Sequence, residues 1–126
     1  MSPLSVDATK SSPRVRFDPD SGVLEIQGES YPENSQEFYA PLIAWLNQYL
    51  SEVTGSVVFR VGLSYMNTSS TKYMIEMLDR IENAFEQGTD VRVEWYCDPD
   101  NARALDTVEE LKEDFSMPFV ITTEPE

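Results

Sequence analysis

The chain has 126 residues, 40% apolar and 25% charged, a length and balance that fit one globular domain able to bury a core without metals or disulfides. With 9 basic against 23 acidic residues and a net charge of −14, its surface repels nucleic acid and anionic membranes; it suits a protein partner with a basic patch, besides keeping a small protein in solution. There is no histidine and only one cysteine, Cys97, which excludes a Ser-His-Asp or Cys-His device, the usual metal ligand and an internal disulfide.

Residues 1–12 are rich in Ser, Thr and Pro and read as a flexible lead-in. They lack the basic and apolar blocks of a signal peptide, and no stretch approaches eighteen apolar residues; the expectation is a cytoplasmic protein with no direct membrane binding. The domain proper spans 13–123, and 124–126 form a short acidic tail. Within it, Arg14-Val-Arg-Phe-Asp18 alternates, Pro19-Asp-Ser-Gly22 signals a turn, and Val23-Leu-Glu-Ile26 follows; together they predict a hairpin. Phe38, Leu42, Trp45, Leu46, Tyr49 and Val53 recur at spacings of three and four, as on one face of a helix. Ser35 is a candidate cap, Pro41 a candidate first helical residue, and Gly55 the stop.

Val57-Val-Phe-Arg-Val-Gly-Leu63 is mostly apolar and reads as a central strand. Met74, Met77, Leu78, Ile81 and Phe85 form a second helical stripe, closed by Gln87-Gly88. Val91, Val93, Trp95 and Cys97 alternate on one face of a further strand. After the turn Asp98-Pro-Asp-Asn101, Leu105, Val108, Leu111 and Phe115 mark a third helix, and Phe119-Val-Ile121 a last strand. The order β-β-α-β-α-β-α-β predicts a single α/β domain with an N-terminal hairpin, a mostly parallel sheet, right-handed crossovers and three helices. It resembles the STAS fold of anti-sigma-factor antagonists.

The candidate sites are few. Asp98, Asp100 and Asn101 crowd one turn and could offer oxygen ligands to a hard cation, but residues of this type before a helix serve ordinarily as caps, and the spacing matches no calcium loop. No metal and no cofactor is expected. Cys97 lies on an apolar strand face with no histidine to activate it, which reads as core packing. The five glycines form no phosphate-binding loop.

What remains is Asn67-Thr-Ser-Ser-Thr71. Asn, Ser and Thr suit the start of a helix, where N–H groups lack partners, yet one cap suffices. At about 100° per residue, with Met74 at the centre of the buried face, Ser70 and Thr71 fall near that face, while Thr68, Ser69 and Lys72 fall outside. Lys72 stands four residues after Thr68 and can approach a group carried there. A phosphate on Thr68 would sit at a helix N-terminus, where the dipole favours an anion. It would alter a recognition surface without melting the fold. Helix geometry leaves Thr68 and Ser69 tied.

The stretch Tyr65-Met-Asn-Thr-Ser-Ser-Thr-Lys72 resembles the Y-F-N-T-S-S-S-K signature of the SiaC family of bacterial regulatory phosphoproteins. Arg16-Phe-Asp-Pro-Asp-Ser-Gly-Val-Leu-Glu-Ile-Gln-Gly-Glu-Ser-Tyr-Pro-Glu-Asn34 is similar to that family's opening, R-F-D-P-x-x-G-x-L-x-I-x-G-x-S-Y-P-E-N, and Glu37-Phe-Tyr39 and Pro41 continue it. Phe115 and Pro118-Phe119 are similar to its C-terminal end, so the likeness covers about residues 7–121. STAS antagonists carry Asp-Ser-Gly at the equivalent turn, where this chain has Asn67-Thr68-Ser69.

The resemblance implies a non-enzymatic, STAS-like switch in a bacterial partner-switching module. Its unphosphorylated form binds and stimulates a diguanylate cyclase, raising cyclic di-GMP and promoting aggregation and biofilm formation. A Ser/Thr protein kinase phosphorylates Thr68, and a PP2C-type phosphatase reverses this. Around Thr68, Asn67 and Ser69 shape and cap the turn, Lys72 approaches the phosphate, and Tyr65, Met66 and Tyr73 offer apolar contact area or pack the element ends. The alternatives are an anti-sigma-factor antagonist that binds an anti-sigma kinase, a constitutive scaffold without a switch, and a carboxylate enzyme built on Asp98 and Asp100.

Overall fold

The computed structural model describes residues 1–52 and 55–123. In chain order the elements are β1 (Leu4–Val6), β2 (Arg14–Phe17), β3 (Val23–Ser30), α1 (Ser35–Glu52), β4 (Val57–Met66), α2 (Thr68–Glu86), β5 (Val91–Tyr96), α3 (Ala102–Glu113) and β6 (Phe119–Thr122). The strands lie side by side in sequence order, β1-β2-β3-β4-β5-β6. The first two pairings are antiparallel and the other three parallel. Residues of α1, α2 and α3 join one core with the apolar sheet face, the same-side placement that right-handed crossovers between adjacent parallel strands produce, so the domain has two layers.

The core follows from strand alternation. In one row across the sheet, Leu4, Phe17, Leu24, Phe59, Val93 and Phe119 are register partners. In the next row these are Val6, Val15, Ile26, Val61, Trp95 and Ile121. The central members of both rows are fully buried beneath Leu42 and Leu46 of α1 and Met74, Met77, Leu78 and Ile81 of α2. The opposite sheet face carries charge instead. Arg14 pairs with Glu25 at 2.7 Å, and Arg60 and Arg92 both reach Glu94, at 3.1 and 2.9 Å.

Two expectations are corrected. Residues 1–12 were expected as a flexible lead-in, but Leu4–Val6 form edge strand β1. Arg16 Nη1 donates to the Val6 carbonyl at 3.0 Å, and the indole N–H of Trp45 donates to the Ser2 carbonyl at 2.8 Å. A run of three residues is too short to show a period. Helix α1 begins at Ser35, with Pro41 in its interior. Asn34 rather than Ser35 caps it, its Oδ1 accepting from the Glu37 N–H at 3.0 Å. Pro41 lies on the exposed side, where water can satisfy the carbonyl that proline leaves without a donor. The buried stripe of α1 also runs through Tyr39, with Phe38 only half-buried. Val53, expected in that stripe, and the acidic tail 124–126 lie outside the described residues.

Phe59 is fully buried in β4 at the middle of the sheet. Phe59→Ala should lower the free energy of unfolding by about 3–5 kcal/mol, read from urea unfolding followed by tryptophan fluorescence.

Candidate functional site

Strand β4 ends at Met66 and helix α2 starts at Thr68, so a single residue, Asn67, turns strand into helix. Its backbone is extended, with φ −76° and ψ 174°, as a capping residue requires. Asn67 Oδ1 accepts from the Ser70 N–H at 2.9 Å, and its carbonyl accepts from the N–H and the hydroxyl of Thr71, each at 3.0 Å. Its own N–H donates to the Ser30 carbonyl at the end of β3, at 3.0 Å.

The approach to this turn is irregular. Gly28 pairs with Leu63 but Glu29 pairs with Tyr65, leaving Ser64 as an extra residue in β4. Such a bulge re-aims the side chains beyond it. Gly28 takes φ +127°, a conformation that residues with a Cβ rarely adopt. Past the bulge, Tyr65 is exposed and meets the ring of Tyr31 edge-on at 5.9 Å. Met66 is half-buried against the core. From the far side, the Asn101 amide donates to the Ser64 carbonyl at 2.9 Å. The ends of β3 and β4 and the loop after β5 thus meet at the carboxyl edge of the parallel sheet, where open α/β folds place their sites.

The four hydroxyls divide as helix geometry predicts: Thr68 and Ser69 are exposed, Ser70 is fully buried and Thr71 is half-buried. Their contacts separate them further. Ser30 Oγ donates to Ser70 Oγ at 2.8 Å, so the Tyr39 hydroxyl, 2.5 Å away, must donate to Ser30, because a serine has one proton to give. Ser69 Oγ donates to Asn67 Oδ1 at 3.3 Å and lies 2.7 Å from Ser35 Oγ, the first residue of α1; by the same count Ser35 donates to Ser69. The stacked rings of Tyr39 and Tyr73, 5.6 Å apart and 13° from parallel, close the junction beneath. Among the described residues, only Thr68 of the four hydroxyls makes no hydrogen bond through its side chain.

Lys72 is exposed one turn along from Thr68, and Ile75 one turn further is also exposed. This extends the outward face by an apolar residue that the core stripe gave no reason to single out. Beside the turn, a cavity of about 140 Å³ opens between the end of β4 and α3, lined by Leu63, Tyr65, Met66, Trp95, Arg103 and Val108. The sequence offered Ser35 only as a helix cap, and Ser30 and Tyr39 not at all. Ser30 alone gave a signal: a polar residue in step with Leu24 and Ile26, hence on the core face.

The other candidates have structural duties. Asp98 Oδ1 accepts from the Asp100 N–H at 2.9 Å, and Asn101 caps α3 through the Ala104 N–H at 3.1 Å. Cys97 is buried; burial, and then the charge of Glu109, pushes its thiol above its usual range, the reverse of what a nucleophile needs.

The model of the SiaC family of regulatory phosphoproteins matches residues 6–124. The chain belongs to the SiaC family. A relative from Pseudomonas aeruginosa strain UCBPP-PA14, of uncharacterized activity, is 38% identical over the full length of both chains. Crystallised apo-SiaC from Pseudomonas aeruginosa superposes with a TM-score of 0.91 at 38% identity, covering 97% of this chain and 99% of that one. A crystal structure of the diguanylate cyclase SiaD in complex with its activator SiaC matches with the same score and identity, over 94% of this chain and 97% of that one. In this family member, no helix among the described residues is long and apolar enough to cross a membrane.

Two outcomes follow. Asn67→Ala should cost about 1 kcal/mol of stability through loss of the cap, measured by urea unfolding. Burial raises the Tyr39 hydroxyl above its ordinary 10.0, against the opposing hydrogen bonds of Ser30 and Ser70. The folded state therefore keeps that proton after the unfolded chain has lost it. Stability from this group is whole well below pH 10 and is lost as the pH rises from there through the raised folded-state value. Tyr39→Phe should flatten that alkaline slope in unfolding curves taken across the range.

Proposed function

We propose that this SiaC-family protein is a non-enzymatic phospho-switch that, when unphosphorylated, binds and activates a diguanylate cyclase in the cytoplasm, raising cyclic di-GMP and promoting aggregation and biofilm formation. Thr68 is the acceptor: a Ser/Thr protein kinase modifies it and a PP2C-type phosphatase restores it. The observation that carries this reading is the free, exposed hydroxyl of Thr68 in a cluster whose other three hydroxyls are engaged or buried. The activator role is supported by the likeness, at 38% identity and TM-score 0.91, to the SiaC bound to SiaD.

The physics of the switch is local. Thr68 precedes the first intrahelical hydrogen bonds, so a phosphate there meets free N–H groups and the positive end of the helix dipole. The modified chain keeps its fold. A partner seated over Thr68, Lys72 and Tyr65 then faces about −1.5 to −2 added charges that it must desolvate.

Thr68→Ala removes no hydrogen bond of the chain, so stability should stay within about 0.5 kcal/mol of the parent. The variant should resist phosphorylation yet bind and stimulate the cyclase. Thr68→Glu should weaken cyclase binding by about tenfold or more, measured by calorimetry with cyclase turnover as a second readout. Equal binding by both variants would instead indicate a constitutive scaffold, and phosphate mapped to Ser70 or Thr71 with Thr68 untouched would overturn the assignment.

A further inference from the structure

We propose that Ser35 selects the phosphoacceptor: by occupying the hydroxyl of Ser69, it leaves Thr68 as the one outward hydroxyl free to react. This rests on the reading of the turn as a kinase substrate. Thr68 and Ser69 are neighbours, both exposed, both in the first turn of α2, so reach alone does not choose between them. Hydrogen bonding does. Ser35 is nearly buried, at 7% exposure, and is held at the start of α1 by the capped turn before it. From there its hydroxyl meets Ser69 Oγ at 2.7 Å, while Ser69 gives its own proton to Asn67 Oδ1 at 3.3 Å. The Ser69 hydroxyl thus commits its one proton and one of its two lone pairs, and the two contacts together hold it turned toward Asn67 and Ser35.

Transfer needs a lone pair and the proton. The acceptor oxygen uses a lone pair to form the new P–O bond to the γ-phosphorus of ATP. The bond from that phosphorus to the bridging oxygen breaks, ADP leaves, and the hydroxyl proton passes to a base of the kinase. On Thr68 neither the lone pair nor the proton is engaged within the described chain. On Ser69 the second lone pair is open, but releasing the proton gives up the contact to Asn67, and turning the hydroxyl out to the kinase gives up the shorter contact, to a residue 34 positions away on another helix.

The test maps phosphorylation by mass spectrometry after incubation of the full chain with the switch kinase and ATP. The parent should carry phosphate on Thr68 and Thr68→Ala should be nearly silent. In the double variant Ser35→Ala, Thr68→Ala, phosphate should appear on Ser69 at about ten times the rate in Thr68→Ala alone, the size set by one lost hydrogen bond. Ser35→Thr keeps the hydroxyl and should leave the Thr68→Ala chain silent. Circular dichroism and thermal melting establish that each variant is folded. A double variant as silent as Thr68→Ala overturns selection by Ser35. So does a Ser35→Thr chain that behaves like Ser35→Ala, because the effect would then come from packing. A parent chain without phosphate on Thr68 overturns the kinase-substrate reading itself, an outcome distinct from either.

Discussion

The junction depends on one residue bonded in three directions. Asn67 gives its N–H to the end of β3, its side-chain oxygen to the first turn of α2, and its carbonyl to Thr71. The first bond fixes where the strand stops and the second fixes where the helix begins. With both set, the pitch of α2 leaves no freedom. Ser70 must enter the core, where the chain from Tyr39 through Ser30 receives it, and Thr68 must leave it. A buried hydroxyl without partners costs about 1–3 kcal/mol, so the Tyr39-Ser30-Ser70 chain resists any other register of the helix on the sheet.

Much of this was legible in the sequence, and the limits have physical causes. The stripe Met74, Met77, Leu78 and Ile81 set the phase of α2, and that phase divided the hydroxyls correctly into outward and inward pairs. The family likeness pointed to Thr68 over Ser69; that Ser69 is hydrogen-bonded and Thr68 is not was out of reach, because it required knowing that α1 and α2 start side by side. Contacts between residues 34 or 40 positions apart, such as Ser35 with Ser69 and Ser30 with Ser70, have no local signature. Strand β1 escaped because three residues cannot establish alternation. Pro41 misplaced the helix start because proline's preference for the first turn was outweighed by the Asn34 cap and the burial of Tyr39.

The two-layer build separates two kinds of surface. One sheet face is covered by helices and carries the core. The other holds arginines against glutamates, Arg14 on Glu25 and both Arg60 and Arg92 on Glu94, each contact worth little in stability, about 0–1 kcal/mol. The candidate site belongs to neither face. It sits on the carboxyl edge, where strand ends and helix starts are already tied together by Asn67.

The net charge of −14 bears on how such a change can be sensed. A phosphate adds about −1.5 to −2 to a molecule already strongly negative, a small fractional change in its far field. At physiological ionic strength that field decays within about 8 Å. Under the proposed switch, a partner approaching from a distance would meet nearly the same object in either state, and discrimination would occur after contact, in the dehydrated patch over the first turn of α2. The difference between states should thus lie in how long the complex lasts more than in how fast it forms.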